Sequence, residues 1–161
     1  AMAQMQVQGL EEYAERLGSL YKDSEQIIKE SVYEGASVVA DSIKSGLKSL
    51  PVDNGQGTED KMLTGVSRRQ KADLIDAFGL APIENNGDYI NTKAGFDGYG
   101  QTKSKKYPKG LPNALLMRSV ESGTSFRKKT PVIRSAVNKS RKAAVEAMDK
   151  KMEEACTELM D

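Results

Sequence analysis

Apolar residues recur at helical spacing along the first third of the chain. Across 9–21, Leu10, Tyr13, Ala14, Leu17 and Leu20 share one face, which predicts a short amphipathic helix. Asp23, followed three residues later by Gln26, has the form of a helix start, the Asp23 side chain accepting from the backbone of Gln26 and the Gln26 side chain reaching back. Across 24–50, Ile28, Val32, Ala36, Val39, Ile43, Leu47 and Leu50 step by four and three and paint one stripe, which predicts a second, long helix. Gly35 and Gly46 interrupt the stripe. Each weakens a helix by about 1 kcal/mol relative to Ala, and each also permits close approach of another element. Pro51 ends the run.

The pattern then shortens. Residues 51–60 hold two Gly, an Asn-Gly pair and several acids, which reads as a loop. Within 64–79 a shorter helix follows, with Ser67 and Gln70 as a capping pair and Gly79 as its stop. After Gly79 the period changes to two. The stretch 80–97 predicts two strands around an Asn-Asn-Gly-Asp turn, Tyr89, Asn91 and Lys93 alternating with Ile90, Thr92 and Ala94. Residues 98–112 are rich in Gly, Lys and Pro and read as an exposed loop or arm. A helix over 113–123 has Asn113 as cap and Gly123 as stop, with Leu116, Val120 and Met117 facing inward. The last helix opens at Pro131 with Thr130 as cap and runs towards Met160. Its stripe is Ile133, Val137, Ser140, Ala144, Ala147 or Met148, Met152, Ala155 and Leu159. The small residues Ala136, Ala143, Ala144 and Ala147 let a second helix pack closely.

No internal repeat and no sustained heptad interrupts this order of helix, helix, helix, hairpin, helix, helix. It predicts an α+β fold in one domain over 1–161: long N-terminal and C-terminal helices packed on a small antiparallel β-sheet, with short additional helices. Residues 1–8 read as a flexible N-terminus in which Ala1, ahead of Met2, is a cloning remnant. Loops 51–60 and 98–112 are expected to be mobile.

Composition changes this picture little. Hydrophobic residues are 38% and charged residues 29% of 161, with six Tyr and no Trp, so large core side chains are few and helices are favoured over a dense sandwich. Such a chain can lean on partner subunits to complete its burial. The lone Cys156 excludes an intrachain disulfide, in keeping with a reducing cytoplasm. No apolar run approaches the length of a membrane span and no signal peptide is visible, so no membrane is expected.

Charge changes it more. The net +1 conceals a division: residues 1–60 carry five Lys/Arg against eleven Asp/Glu, and residues 61–161 carry nineteen against twelve. Between 101 and 142 stand twelve cations and one acid, Glu121. Such a stretch is a solvated surface, or a face that meets an acidic partner or nucleic acid. The candidate contact residues are Lys103, Lys105, Lys106, Lys109, Arg127, Lys128 and Lys129, the last three presented at the corner between two helices.

Candidate chemistry is sparse. The chain has no histidine, which removes Ser-His-Asp and Cys-His catalysis, histidine metal sites and the commonest general base. Cys156 stands near Glu153, Glu154 and Glu158, acids that raise a thiol pKa rather than activate it. The glycines of 95–100 lack the Gly-Lys-Ser/Thr of a phosphate loop, and the oxygens of 53–60 lack the twelve-residue calcium pattern. The Asn138-Lys139-Ser140 triplet lies inside a helix rather than in a glycosylated loop. No catalytic residue, cofactor or metal is therefore assigned, and an enzyme is not expected.

A long N-terminal helix, then Thr64-Gly65 before a short polar segment, a hairpin, Glu121-Ser122-Gly123-Thr124, a loop, and Pro131 opening a small-residue helix form a recognisable order. This order resembles the tail-component (tail-completion, head–tail joining) family of phages and prophages with long non-contractile tails, over most of the chain after about residue 24. The family usually has an aromatic where Ser122 and Val132 stand here. The resemblance implies a structural virion protein, with Thr64, Gly65, Glu121, Gly123, Thr124 and Pro131 as its structural motif. It implies a ring-forming homo-oligomer, six copies being one candidate number, at the neck or upper tail, assembled in the host cytoplasm with other neck and tail proteins. A ring needs head-to-tail contacts, which the acidic first part and basic second part could supply; alternatively the basic stretch lines a lumen that DNA passes. A separate reading is a sequence-independent nucleic-acid-binding accessory protein using 101–142. Only Tyr107 and Phe126 are available there for base stacking, so contact would be with phosphate.

Overall fold

The computed structural model describes residues 10–160, with the side chains of the first helix described continuously from Tyr21. Its elements are α1 (Leu10–Lys48), α2 (Arg68–Ala77), β1 (Phe78–Leu80), β2 (Glu84–Asn85), β3 (Ile90–Asn91), β4 (Ala94–Phe96), α3 (Asn113–Ser122) and α4 (Val132–Met160). The fold is α+β, as the patterning predicts. Residues 1–8, expected to be flexible, lie outside the described residues.

The two N-terminal helices expected from the sequence are one. No Gly or Pro separates Tyr21 from Ser24, so the start signal at Asp23 has nothing to restart, and the helix runs through for 39 residues. A Glu25–Lys29 ion pair of 2.9 Å, one turn apart, supports it just beyond. At the other end Leu50 N–H bonds Leu47 at 3.2 Å, and the Lys71 ammonium donates to the Leu50 carbonyl at 3.0 Å, closing the terminus before Pro51.

α1 and α4 lie antiparallel. The Ser31 hydroxyl donates to the Met148 carbonyl at 2.8 Å, and eleven residues on, the Ser42 hydroxyl donates to the Ala136 carbonyl at 3.2 Å. The two interrupting glycines face this seam. A Cβ on Gly35 would stand 2.6 Å from Met148 Cγ, and one on Gly46 would stand 2.6 Å from Val132 Cγ1, so both positions serve close approach. Ala136, Ser140 and Ala144 are buried on the facing helix, and Ser140 satisfies itself by donating to the Ala136 carbonyl at 2.6 Å. Ala143, expected on the seam, is exposed.

The large side chains collect at one end of the seam. Ile43 and Leu47 of α1 and Leu50 just beyond it meet Val66, Leu74 of α2, Phe78, and Leu116, Met117 and Val120 of α3 in one core. Leu47, Val66 and Leu74 are wholly inaccessible.

Between α2 and α3 runs a β-ribbon in two short pieces. β1 pairs antiparallel with β4, Phe78 opposite Phe96 and Leu80 opposite Ala94; β2 pairs with β3, Glu84 opposite Asn91. The register slips by one residue between them, at Ala81-Pro82-Ile83, where Pro82 has no N–H to give to a ladder. The expected turn forms with Gly87 at φ 95°, the Asn86 side chain accepting from the Asp88 and Tyr89 amides.

The Ser67 cap of α2 and the Gly123 stop of α3 form as expected, whereas the α2 stop and the N-caps of α3 and α4 depart. Ser67 and Gln70 make the complete capping box of α2. That helix stops at Ala77, not at Gly79, because Phe78 turns extended (φ −74°, ψ 134°) to pack its ring 5.3 Å from that of Phe96. Asn113 is not the cap of α3: Pro112 holds that position, and the buried Asn113 side chain donates to the Asp97 carbonyl at 3.0 Å, tying down the base of loop 98–112. Thr130 does not cap α4. The carboxylate of Glu121 accepts from the amides of Ile133 and Arg134 at 2.9 and 2.8 Å, and a charged oxygen is the better partner for the positive end of a helix.

Candidate functional site

Leu63 to Gly65 and Glu121 to Pro131 are far apart in sequence, and the fold brings them together. After α3 ends, Gly123 takes φ 77°, and any side chain there would press on the Lys129 backbone, so the chain turns back where only glycine fits. Thr124 and Arg127 then close a tight turn through paired backbone bonds of 2.9 and 3.4 Å. The returning strand lies beside Leu63, whose amide donates to the Phe126 carbonyl at 2.8 Å and whose carbonyl accepts from Lys128 at 2.9 Å. Thr130 finally bonds Val120 at 2.7 Å, placing Pro131, whose carbonyl is the first acceptor of α4.

Gly65 sits under this crossing. A methyl group there would overlap the Pro51 carbonyl oxygen, and the Gly65 carbonyl accepts from the guanidinium of Arg127. Beside it the Asp53 carboxylate gathers the amides of Gly55 and Thr64 at 2.9 and 3.0 Å and receives the Thr64 hydroxyl at 3.4 Å. Those backbone donors hold the Asp53 pKa below the ordinary carboxylate range. Loop 51–60 is thus tied at both sides. Loop 98–112 is tied likewise: Gly100 bonds Leu111 at 2.7 Å, and the buried Asp73 carboxylate takes the Gln101 amide and side chain at 3.0 and 2.9 Å.

All six motif residues, Thr64, Gly65, Glu121, Gly123, Thr124 and Pro131, therefore belong to one junction. The seven basic candidates do not behave alike. Lys103, Lys105, Lys106, Lys109, Lys128 and Lys129 are exposed, and none of them makes an ion pair among the described residues. Arg127, expected to be presented at the corner, is instead turned inward, 5% exposed. Burial lowers its pKa, the Asp53 carboxylate opposing that shift, and its Nε has no hydrogen-bond partner.

Next to the junction lies a cleft of about 580 Å3, between α3, loop 98–112 and the 124–127 turn. Its apolar lining includes Leu111, Leu115 and Phe126, the last two 42% and 43% exposed, and its cations are Lys106, Arg118 and Arg127. The Lys106 ammonium stands 5.5 Å from the centre of the Tyr107 ring. The sequence assigned no role to Leu115 and pointed to Phe126 only for base stacking, not for this cleft. The signal was there for Leu115: Leu115, Leu116 and Met117 are consecutive on a helix, so all three cannot face one core. Phe126 carried none, since its exposure depends on where the turn falls. No family model, no curated protein and no solved structure matches the chain.

Proposed function

We propose that the chain is a structural virion component of a tailed phage or prophage, acting in head–tail joining or tail completion as one copy of a ring at the neck or upper tail. The observation that carries this reading is the convergence of the motif. Thr64-Gly65 and the run from Glu121 to Pro131 meet through the Leu63–Phe126 backbone bond and the Arg127 guanidinium donating to the Gly65 carbonyl, so the residues behind the resemblance form one structural unit. A junction so constrained holds the exposed Lys128 and Lys129 at a set angle to α4. The six unpaired lysines support an anionic partner, and an assembly protein needs such faces rather than a reaction centre.

Size-exclusion chromatography with light scattering, at low and high salt, tests this. The expected result is a closed oligomer that salt weakens. A monomer at every salt, together with no binding to the neck and tail proteins encoded beside it, refutes the reading. The double change K128E/K129E should leave the chain folded and impair docking. Arg127 is unsuitable for that test, because its reversal would bury an acid against a carbonyl.

A second reading, sequence-independent contact with nucleic acid, is favoured by the four lysines between 103 and 109. Duplex DNA binding that falls steeply between about 50 and 200 mM salt would support it.

A further inference from the structure

The seam fixes how far α1 extends past α4. Ser42 lies opposite Ala136 and Ser31 opposite Met148. One more interval of that length brings the end of α4, Met160, opposite residue 20. The first ten residues of α1 therefore project beyond its main partner, over about 15 Å at 1.5 Å per residue. Their sequence is Leu10-Glu11-Glu12-Tyr13-Ala14-Glu15-Arg16-Leu17-Gly18-Ser19, with Leu10, Tyr13, Ala14 and Leu17 at helical spacing and three carboxylates to one guanidinium. The helix backbone therefore runs on past the end of α4, carrying an amphipathic, acidic sequence.

The cleft described above has the opposite character: Leu111, Leu115 and Phe126 among Lys106, Arg118 and Arg127. Arg127 adds a second observation. It is 5% exposed, it lines the cleft, its guanidinium donates to the Gly65 carbonyl, and its Nε has no hydrogen-bond partner among the described residues. With Lys106 and Arg118 it makes the wall of the cleft cationic, which favours an anionic occupant.

The two features cannot meet within one molecule. The cleft adjoins Gly65, next to the segment that follows the C-terminal end of α1, and residue 20 is about 40 Å away along the helix from Leu47. We propose that the projecting end of α1, residues 10–19, of one copy docks in the cleft of the next. The pairing is head-to-tail, so it propagates around a ring or along a filament according to the rotation between copies. Two acidic helix ends would repel one another, which disfavours a symmetric dimer through the same segment. This inference rests on the ring reading and names the contact that would build the ring.

The test uses a fluorescent peptide of residues 9–21 and, as receptor, the full chain carrying E11K/E12K/E15K, whose own helix no longer competes for clefts. Saturable binding that weakens with salt is expected. Adding R118E to the receptor should weaken it by about tenfold or more, and a peptide with the three acids changed to Lys should regain binding to an R118E/K106E receptor that keeps Glu11, Glu12 and Glu15. Leu115 and Arg118 are exposed, so both L115D and R118E receptors should keep the unfolding midpoint of the parent. Absence of saturable binding overturns the inference whatever the oligomeric state. An oligomer in the unmodified chain that L115D leaves intact also overturns it while the ring reading stands. An unmodified chain that stays monomeric at every concentration overturns the inference together with the ring reading.

Discussion

At the C-terminal end of α1, Leu47 and Leu50 are sealed under Val66 and Leu74, and the chain beyond is laced by backbone bonds among Pro51, Leu63, Gly65, Phe126 and Lys128. Towards its N-terminal end, Tyr21 is 69% exposed, Ile28 faces solvent, and support comes from the Glu25–Lys29 pair and one Asn85–Glu25 bond of 3.1 Å. The helix is the same helix. What differs is what it meets: three elements and a crossed loop at one end, the tapering seam with α4 and the ribbon tip at the other. A closed end stores stability, and an open end leaves apolar and charged surface for another molecule.

The difference should show first in truncations. Leu47→Ala is expected to cost about 3–4 kcal/mol, since a wholly inaccessible Leu leaves a cavity, whereas Tyr21→Ala should change the unfolding free energy from urea titration by no more than about 0.5 kcal/mol. Comparable losses at the two sites would erase the distinction. Glycines should separate the ends next. Gly65→Ala forces the Pro51 carbonyl to move and should cost about 2–3 kcal/mol. Gly18→Ala meets nothing within 4 Å and should stabilise the helix by about 0.5–1 kcal/mol. Removing the α4 cap with Glu121→Ala should cost about 1–2 kcal/mol and lower the melting temperature by a few degrees; an unchanged melting curve would mean that Thr130 takes over.

The smallest effect concerns acid. Asp53 and Glu25 both have pKa values lowered by their partners, Asp53 first by the Gly55 amide and Glu25 first by Lys29. A carboxylate with a lowered folded pKa contributes stability above the unfolded pKa and loses it as pH falls through the folded one. Acid titrations of stability should therefore be shallower in Asp53→Asn and in Glu25→Gln than in the parent. High salt should remove the Glu25 part and spare the Asp53 part, because an exposed ion pair is screened and backbone donors are not.

Much of the core could be read from spacing. Ile43, Leu47, Leu50, Leu116, Met117 and Val120 are where periodicity puts them, and Gly35 and Gly46 fill the close-approach role their positions suggested. Ser31 could not be read: a Ser inside a helix stripe looks solvated until the Met148 carbonyl arrives to accept from it. Caps were half legible. Ser67–Gln70 is local and formed, whereas Thr130 was displaced by Glu121, a competitor nine residues earlier in sequence that α3 delivers to the α4 terminus.

The sequence by itself determined the element types and their order, the apolar faces of α1, α3 and α4, the turn at Gly87 and the stop at Gly123, because each depends on periods of two or 3.6 or on the backbone freedom of one residue. It also set the division between an acidic first part and a basic second part, since charge is additive. Tertiary structure alone decided that Arg127 turns inward while its lysine neighbours stay out, and that Leu115 and Phe126 share a cleft with Arg118. Those outcomes turn on which surfaces meet, and burial, unlike periodicity, is a property of the pair and not of either member.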